Sequence, residues 1–422
     1  LLSNPEAIKY AKETQGRSVA KGLKNFLSDL RHNNGMPSQV DKSRFRKGKD
    51  VAASPGAVVF RNELLELIQY QPSTSRVYQR PLFFCNSMIN RYYMSDLTPQ
   101  RSLFKYLIDQ GFQLFSVVWR NPSPNNRQWG MEEYVSALIE AMEATKEISQ
   151  QETINSLGLC AGGTVAFAAM AYLAQQDRNF CYSHTSLVNV VDNAADDTVL
   201  SILGTPKAVA AARKRIDRHG VFSADAMNLS FNMMQPDKLI WPYLVQNYLF
   251  GEEPQDSAVM YWMNDQVALP ARLFNQFLDF MFNNSLAKGK FELYGTRIAL
   301  SSIKTETLLI GAQQDHICPW RAGYRTRDLL GGKVEYLLST GGHTTPMTAP
   351  SDDPRAKYYT NPNLTLQYDE WLAGAAEHNA SWRGFWSDWL GKRSGVKIKA
   401  PVELGNKKYS ALDPAPGTYV IQ

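Results

Sequence analysis

Cysteine is scarce in this sequence, with only four in 422 residues: Cys85, Cys160, Cys181 and Cys318. Their spacing matches neither a disulfide framework nor a metal-binding motif, so we expect no metal and no resident cofactor. A chain that depends on no disulfide fits a reducing compartment, which predicts a cytoplasmic location.

Long apolar runs and clustered charge are also absent. No stretch of about 18 apolar residues occurs, which argues against a transmembrane protein. Charged residues make up 20% of the chain, the net charge is +5, and no basic and aromatic interleaving indicates nucleic-acid binding. The densest basic stretch, 42–49, predicts a solvated face, with attraction of an anionic substrate as the alternative.

What the chain does contain is a repeated alternation of strand and helix patterns. After a helical lead-in, residues 57–60 and 65–70 predict an antiparallel pair. Further strands are predicted at 81–85, 113–119, 154–158 and 186–191, with helices at 102–108, 131–148 and 163–175. Such alternation favours a mostly parallel sheet with helices on both faces.

The alternation stops near residue 192 and resumes at 306–311 and 334–338. Residues 196–290 are rich in Met, Phe, Tyr and Trp at helical spacing, which predicts an inserted helical cap. The predicted organisation is a helical lead-in (1–50), the first part of the core (51–195), the cap (196–290), and the second part of the core with a C-terminal helical tail (291–422).

A glycine-rich motif carries the sharpest chemical signal. Gly158-Leu159-Cys160-Ala161-Gly162 follows a predicted strand and opens a predicted helix, which is the context of a nucleophile elbow in the α/β-hydrolase fold. The helix N-terminus would favour the thiolate of Cys160, and the N–H of Ala161 would point at a developing oxyanion. A buried structural cysteine beside a glycine-rich turn is the alternative.

Two later positions supply the partners that such a nucleophile needs. Asp315 and His343 each follow a predicted strand, and the order nucleophile, acid, histidine is the one that this fold uses. His343 would move the proton while Asp315 fixes its tautomer and orientation. His316, next to the acid, is a further candidate donor or a structural loop residue.

A cysteine nucleophile favours acyl transfer from a thioester. Attack by the thiolate of Cys160 on a thioester forms another thioester, so the acyl group keeps its activation for a later acceptor. A serine ester would lose that driving force.

These residues and several longer motifs resemble the polyhydroxyalkanoate synthase family, most of all its class II members. The motifs that carry the resemblance are Asn33-Asn34-Gly35-Met36-Pro37-Ser38, residues 56–62, residues 118–122, Asp315-His316-Ile317-Cys318-Pro319-Trp320, and residues 404–409 and 415–420. The resemblance implies that (R)-3-hydroxyacyl-CoA loads Cys160, that the hydroxyl end of a growing polyester accepts the acyl group, and that CoA is released. It also implies a homodimer at the surface of polyester granules, and an N-terminal domain that this chain is expected largely to lack.

Three segments depart from the family pattern, at residues 86–90, 262–267 and 349–351, and the first is expected to lie over the active site. Where the family has Pro-Pro-x-Ile-Asn, this chain has Asn86-Ser87-Met88-Ile89-Asn90. We predict that Ile89 and Asn90, with Ala161 and His316, contribute oxyanion or substrate contacts. These departures leave three alternatives open: a related acyltransferase that makes a single ester or amide, a thioesterase, and a catalytically silent granule protein.

Overall fold

The protein, described by a computed structural model over residues 4–193 and 205–422, forms two compact units. One unit comprises Leu1–Arg46 and Ser223–Gln266, and the other comprises Lys47–Phe222 and Val267–Gln422. The two units differ in their bounds from the predicted lead-in, core and cap. The predicted lead-in, core and cap ranges therefore stay predictions.

The larger unit is built on one ten-stranded sheet. The strands of the described residues are β1 (Gly56–Arg61), β2 (Leu65–Tyr70), β3 (Arg76–Tyr78), β4 (Leu82–Cys85), β5 (Leu114–Trp119), β6 (Ile154–Leu159), β7 (Cys181–Leu187), β8 (Val221–Phe222), β9 (Leu269–Pro270), β10 (Glu292–Leu293), β11 (Thr296–Arg297), β12 (Glu306–Ala312), β13 (Val334–Ser339), β14 (Tyr358–Thr360), β15 (Ala376–His378) and β16 (Lys397–Lys399). The sheet order is β1-β2-β5-β4-β6-β7-β12-β13-β14-β15. Its central strands, from β5 to β13, are parallel, and antiparallel pairs extend it on both sides.

Helices follow the parallel strands in the chain. The α-helices of the described residues are α1 (Pro5–Glu13), α2 (Arg17–His32), α3 (Leu103–Asp109), α4 (Met131–Ser149), α5 (Ala161–Gln175), α6 (Pro206–His219), α7 (Ala224–Met234), α8 (Pro236–Leu239), α9 (Trp241–Leu244), α10 (Ala258–Met263), α11 (Ala271–Phe282), α12 (Trp320–Arg325), α13 (Thr345–Thr348), α14 (Tyr368–Ala373) and α15 (Trp382–Gly391). Short 3₁₀ turns span Lys42–Arg44, Tyr92–Ser95, Pro124–Asn126, Leu300–Ser302 and Thr326–Leu329. Within this described part of the chain, no helix has the length and apolar character that crossing a membrane requires.

The predicted fold class is confirmed: the sheet is mostly parallel and flanked by helices. The central strands β4, β5 and β6 are buried along their whole length, as expected where both faces of a parallel sheet are covered. Helix α5 is apolar nearly all round, which is the pattern of a helix enclosed by its own fold. Helices from α6 to α11 occupy most of the predicted cap, whose first residues, 196–204, lie outside the described part.

One strand prediction was wrong. The apolar run at 186–191 predicted a strand, whereas β7 covers Cys181–Leu187 and ends before Val188, whose φ is +43°. The strand is hard to recognise because most of its buried residues are polar. Ser183 donates a 2.8 Å hydrogen bond to Asn155 of β6, and His184 is hydrogen-bonded to Ser156, which also lies in β6. Satisfied polar groups can be buried at little cost, so an apolar pattern is not required here.

The tryptophans of α15 lie in the core of the larger unit. Trp382, Trp386 and Trp389 are buried, so this apolar face of α15 serves packing. The indole of Trp386 also donates a 2.9 Å hydrogen bond to the Thr185 hydroxyl of β7. The helical tail is thereby attached to the middle of the sheet.

The smaller unit is helical and contains α1, α2 and α7 to α10. The buried carboxylate of Asp29 accepts hydrogen bonds from the backbone N–H of Ser38 and from the hydroxyl of Tyr248. Asn247 donates a further bond to the carbonyl of Ser38. These contacts hold α2 against the segment that follows it and against the π-helical turn Val245–Leu249.

We expect Trp386→Ala to lower the free energy of unfolding by about 3–5 kcal/mol, since it removes a fully buried indole and leaves Thr185 without its donor. Chemical denaturation of the purified variant measures the loss. Val402→Ala, at a side chain that is 80% exposed, is the control and should change stability by no more than about 0.5 kcal/mol. Equal losses in the two variants would contradict the packing role of α15.

Candidate active site

Cys160 occupies a tight bend between β6 and α5. Its backbone has φ +50° and ψ −129°, a conformation that costs free energy in a residue other than glycine. The bend is held by backbone hydrogen bonds from Cys160 N–H to the carbonyl of Leu187 and from Gly163 N–H to the carbonyl of Cys160. This is the strand–turn–helix geometry that places a nucleophile above the carboxyl edge of a sheet.

The glycines beside Cys160 are required by close packing. A Cβ atom on Gly158 would lie 2.5 Å from the Cα of Gly163, and one on Gly162 would collide with the backbone of Asn86. Because backbone atoms cannot move aside cheaply, a side chain at either position would force the bend open. Steric exclusion of a side chain therefore applies at both positions.

Asp315 and His343 meet at the same edge of the sheet. Asp315 follows β12, His343 follows β13, and the ring Nδ1 lies 2.7 Å from the carboxylate Oδ2 of Asp315. The other carboxylate oxygen accepts 2.8 Å hydrogen bonds from the backbone N–H groups of Ile317 and Cys318. Asp315 thus fixes both the orientation of the imidazole and the path of the loop after β12.

The imidazole of His343 completes a compact group with two sulfur atoms. One ring nitrogen of His343 and the Sγ atoms of Cys160 and Cys318 all lie within 4.8 Å of one another. Since Nδ1 is bonded to Asp315, Nε2 is the nitrogen that faces the sulfurs. The structure therefore brings together the three residues that the sequence predicted as a triad.

The environment favours a thiolate at Cys160. Its pKa lies well below the ordinary thiol value because Cys318 donates a hydrogen bond to its sulfur and because the His343 imidazolium attracts the negative charge, although burial opposes both effects. For His343, burial acts to lower the pKa. The negative charges of Asp315 and Cys160 outweigh this effect and raise the pKa of His343 to about 10. The resting pair is therefore thiolate and imidazolium.

Cys318 is a site residue that the sequence did not reveal. Its hydrogen bond to Cys160, together with burial, raises its own thiol pKa well above the ordinary value, so Cys318 keeps its proton. The two cysteines are far apart in the sequence, and spacing alone showed no pairing. The only available signal was that Cys318 shares the loop that follows Asp315.

A largely apolar cavity of about 160 Å³ opens at Cys160. Besides the two cysteines, its walls include Val190, Val191, Phe277, Phe280, Met281 and Leu286. Such a lining suits a hydrocarbon chain better than a strongly charged group.

Two of the four residues predicted to contact the oxyanion or substrate line this cavity, and two do not. Ala161 and Ile89 line it, and the N–H of Ala161 helps to lower the pKa of the neighbouring thiol. Asn90 and His316 are not among the described residues that line it. The binding roles of all four residues stay predictions.

The loop that carries Ile89 is anchored by its first residue. The side chain of Asn86 donates hydrogen bonds to the Ser116 hydroxyl and to the carbonyl of Val117, both in β5. Its backbone carbonyl accepts a 2.8 Å bond from the indole of Trp119. Asn86 departs from the family motif, and its buried side-chain amide is hydrogen-bonded at the start of the loop.

Comparisons with known proteins identify relatives of this chain. A family model described as the N-terminus of poly-beta-hydroxybutyrate polymerase matches residues 1–107, and the α/β-hydrolase fold model matches residues 80–350. The chain is 39% identical to poly(3-hydroxyalkanoate) polymerase 1 and 40% identical to polymerase 2 of Ectopseudomonas oleovorans, covering 99% and 100% of this chain and 75% of each relative. It is 36% identical to the poly(3-hydroxyalkanoate) polymerase subunit PhaC of Cupriavidus necator, over 100% of this chain and 72% of that protein.

The ion pair predicts an unusual pH dependence for alkylation of Cys160. Because the thiol pKa is lowered, the sulfur of Cys160 stays ionised at pH values below the ordinary thiol pKa. Because the imidazole pKa is raised, His343 stays charged up to about pH 10. The rate of reaction with iodoacetamide, followed by mass spectrometry of the peptide, should therefore stay nearly flat between roughly pH 7 and 9.

His343→Gln is the matched variant for this measurement. Without the imidazolium, the thiol pKa should move up toward its ordinary range, and the rate should climb through about pH 8.5. A parent protein whose rate climbs through that same range would show that Cys160 is protonated at rest.

Proposed function

Because this chain belongs to the poly(3-hydroxyalkanoate) polymerase family, we propose that it is an acyltransferase that joins 3-hydroxyacyl units from CoA thioesters into a polyester. The observation that carries the proposal is the Cys160 sulfur at the strand–helix bend, beside an imidazole bonded to Asp315. In this proposal Cys160 carries the acyl group as a thioester.

Loading of the enzyme begins from the ion pair. The thiolate of Cys160 attacks the carbonyl carbon of 3-hydroxyacyl-CoA and forms a tetrahedral intermediate. The carbon–sulfur bond to CoA then breaks, and His343 donates its Nε2 proton to the departing CoA thiolate. The products are free CoA, an acyl thioester on Cys160 and a neutral imidazole.

Transfer uses the neutral imidazole as a base. His343 removes the proton from the terminal hydroxyl of a chain or of a second hydroxyacyl unit, and that oxygen attacks the thioester on Cys160. Collapse of the intermediate forms the new ester bond and returns the thiolate beside the imidazolium. Throughout the cycle, Asp315 holds Nδ1–H and so keeps Nε2 directed at the sulfur.

The oxyanion of both tetrahedral intermediates needs donors close to Cys160. The N–H of Ala161, at the N-terminus of α5, is the first donor that we propose, because it is adjacent to the sulfur and carries the positive end of the helix dipole. The loop that contains Ile89 and Asn90 is the proposed source of a second donor. The apolar walls of the cavity would hold the alkyl part of the acyl group.

Two further elements of the proposal come from the family alone. We propose that the chain acts as a homodimer, and that it works at the surface of polyester granules in the cytoplasm. The soluble donor is an anionic CoA thioester and the product is an insoluble polyester, so the reaction takes place where these two phases meet.

Turnover with 3-hydroxydecanoyl-CoA should release CoA and deposit insoluble polyester. Cys160→Ala should abolish both CoA release and the acyl adduct that intact mass spectrometry detects on the parent, whereas Cys181→Ala, which removes a buried thiol from β7, should retain them. Full turnover by Cys160→Ala would remove the mechanism. Free 3-hydroxydecanoate as the sole product would identify a thioesterase, and a soluble adduct formed only with a co-substrate would identify a single-transfer enzyme.

Asp315→Asn should fold normally but lower kcat by about 10⁴-fold, because the amide cannot hold the imidazole in the productive tautomer. Circular dichroism checks the fold, and initial rates of CoA release measure the loss. A loss of less than tenfold would show that Asp315 serves the loop after β12 and contributes little to proton transfer.

A further inference from the structure

The thiol of Cys318 takes no part in the bond changes of the proposed acyl transfer, although it donates a hydrogen bond to the nucleophile. The sulfur atoms of Cys160 and Cys318 and a ring nitrogen of His343 are mutually within 4.8 Å. Two sulfurs and an imidazole nitrogen at such separations form a donor set that soft divalent cations bind well. The same three groups can therefore be considered as ligands.

The distances suit a tetrahedral cation. Zinc binds thiolate sulfur at about 2.3 Å and imidazole nitrogen at about 2.0–2.1 Å, which places neighbouring ligand atoms about 3.5–3.8 Å apart. The three atoms already lie within 4.8 Å of one another, about 1 Å from that spacing.

The imidazole is already oriented as a ligand would be. Nδ1–H of His343 is directed to Oδ2 of Asp315 at 2.7 Å, so Nε2 faces the sulfurs and offers them its lone pair once its proton is lost. A carboxylate behind a ligating histidine is the usual support in zinc sites. The other oxygen of Asp315 binds the backbone N–H of Cys318, so one carboxylate positions two of the three ligands.

We propose that Cys160, Cys318 and His343 form a binding site for a thiophilic divalent cation of the zinc class, and that the bound cation blocks the nucleophile. Binding displaces the thiol proton of Cys318 and the Nε2 proton of His343 to solvent, while Cys160 binds as the thiolate. Two thiolates and a neutral imidazole balance the charge of the cation. Because Cys160 and Cys318 line the cavity, water in the cavity would supply the fourth ligand.

This inference is independent of the proposed polymerisation, because it concerns metal binding by three side chains. A failure of the polymer assay would leave it standing, and a failure to bind metal would leave the acyl-transfer proposal unchanged. It does predict that the cation and the acyl donor exclude each other, since both need the sulfur of Cys160.

The test uses the full chain, reduced with a phosphine that binds metals weakly. Titration with Co²⁺ should give the visible bands of a tetrahedral site and a thiolate-to-cobalt charge-transfer band, and native mass spectrometry with Zn²⁺ should show one ion per chain. Bound Zn²⁺ should also slow alkylation of Cys160 by iodoacetamide. Asp315→Asn should weaken binding by about 10–100-fold, because the ligating histidine loses its supporting carboxylate.

Cys318→Ala is the decisive variant, and Cys181→Ala is its control. The first should lose the charge-transfer intensity of one thiolate and weaken Zn²⁺ binding by more than the roughly 100-fold that an outer partner contributes. The second should bind as the parent does. Cys318→Ser, with thermal unfolding recorded for every variant, separates loss of a ligand from loss of the fold. Unchanged binding by folded Cys318→Ala, or a parent that binds no ion, would overturn the proposal.

Discussion

The chemistry of this site depends on one buried hydrogen bond, between Nδ1 of His343 and the carboxylate of Asp315. It fixes the tautomer of the ring and so decides that Nε2 faces Cys160. The negative charges of Asp315 and Cys160 together outweigh the effect of burial on the imidazole and raise its pKa. The charge of the imidazolium in turn helps to hold the sulfur as a thiolate, so the two charged groups stabilise one another.

The sheet explains why residues so distant in the chain meet in this bond. Cys160, Asp315 and His343 each follow the carboxyl end of a parallel strand, and β6, β7, β12 and β13 are neighbours in the sheet. Parallel strands present their carboxyl ends at one edge of the sheet, so three loops that are far apart in the sequence meet there. This constraint made the triad predictable, because strand ends could be located from the sequence.

Other features depend on contacts that leave no local pattern. The start of β7 was misplaced because its buried residues are polar and are satisfied by neighbouring strands, as with Ser183 and Asn155. Cys318 was overlooked because its importance lies in its distance from another sulfur, and no spacing rule relates two loops on different strands. The sequence motifs predicted that Ile89, Asn90 and His316 lie near the nucleophile. Of these three residues, only Ile89 lines the described cavity.

The wall of the cavity and the reacting groups are carried by separate parts of the fold. Phe277, Phe280 and Met281 belong to α11, whereas Cys160 and the Asp315–His343 pair stand on loops at the ends of strands. Changes of side-chain volume on one helix can therefore alter which acyl groups fit without displacing the sulfur or the imidazole. Under the proposed function, this modularity gives evolution, and laboratory selection, a route to new monomer preferences that leaves the bond-forming machinery intact.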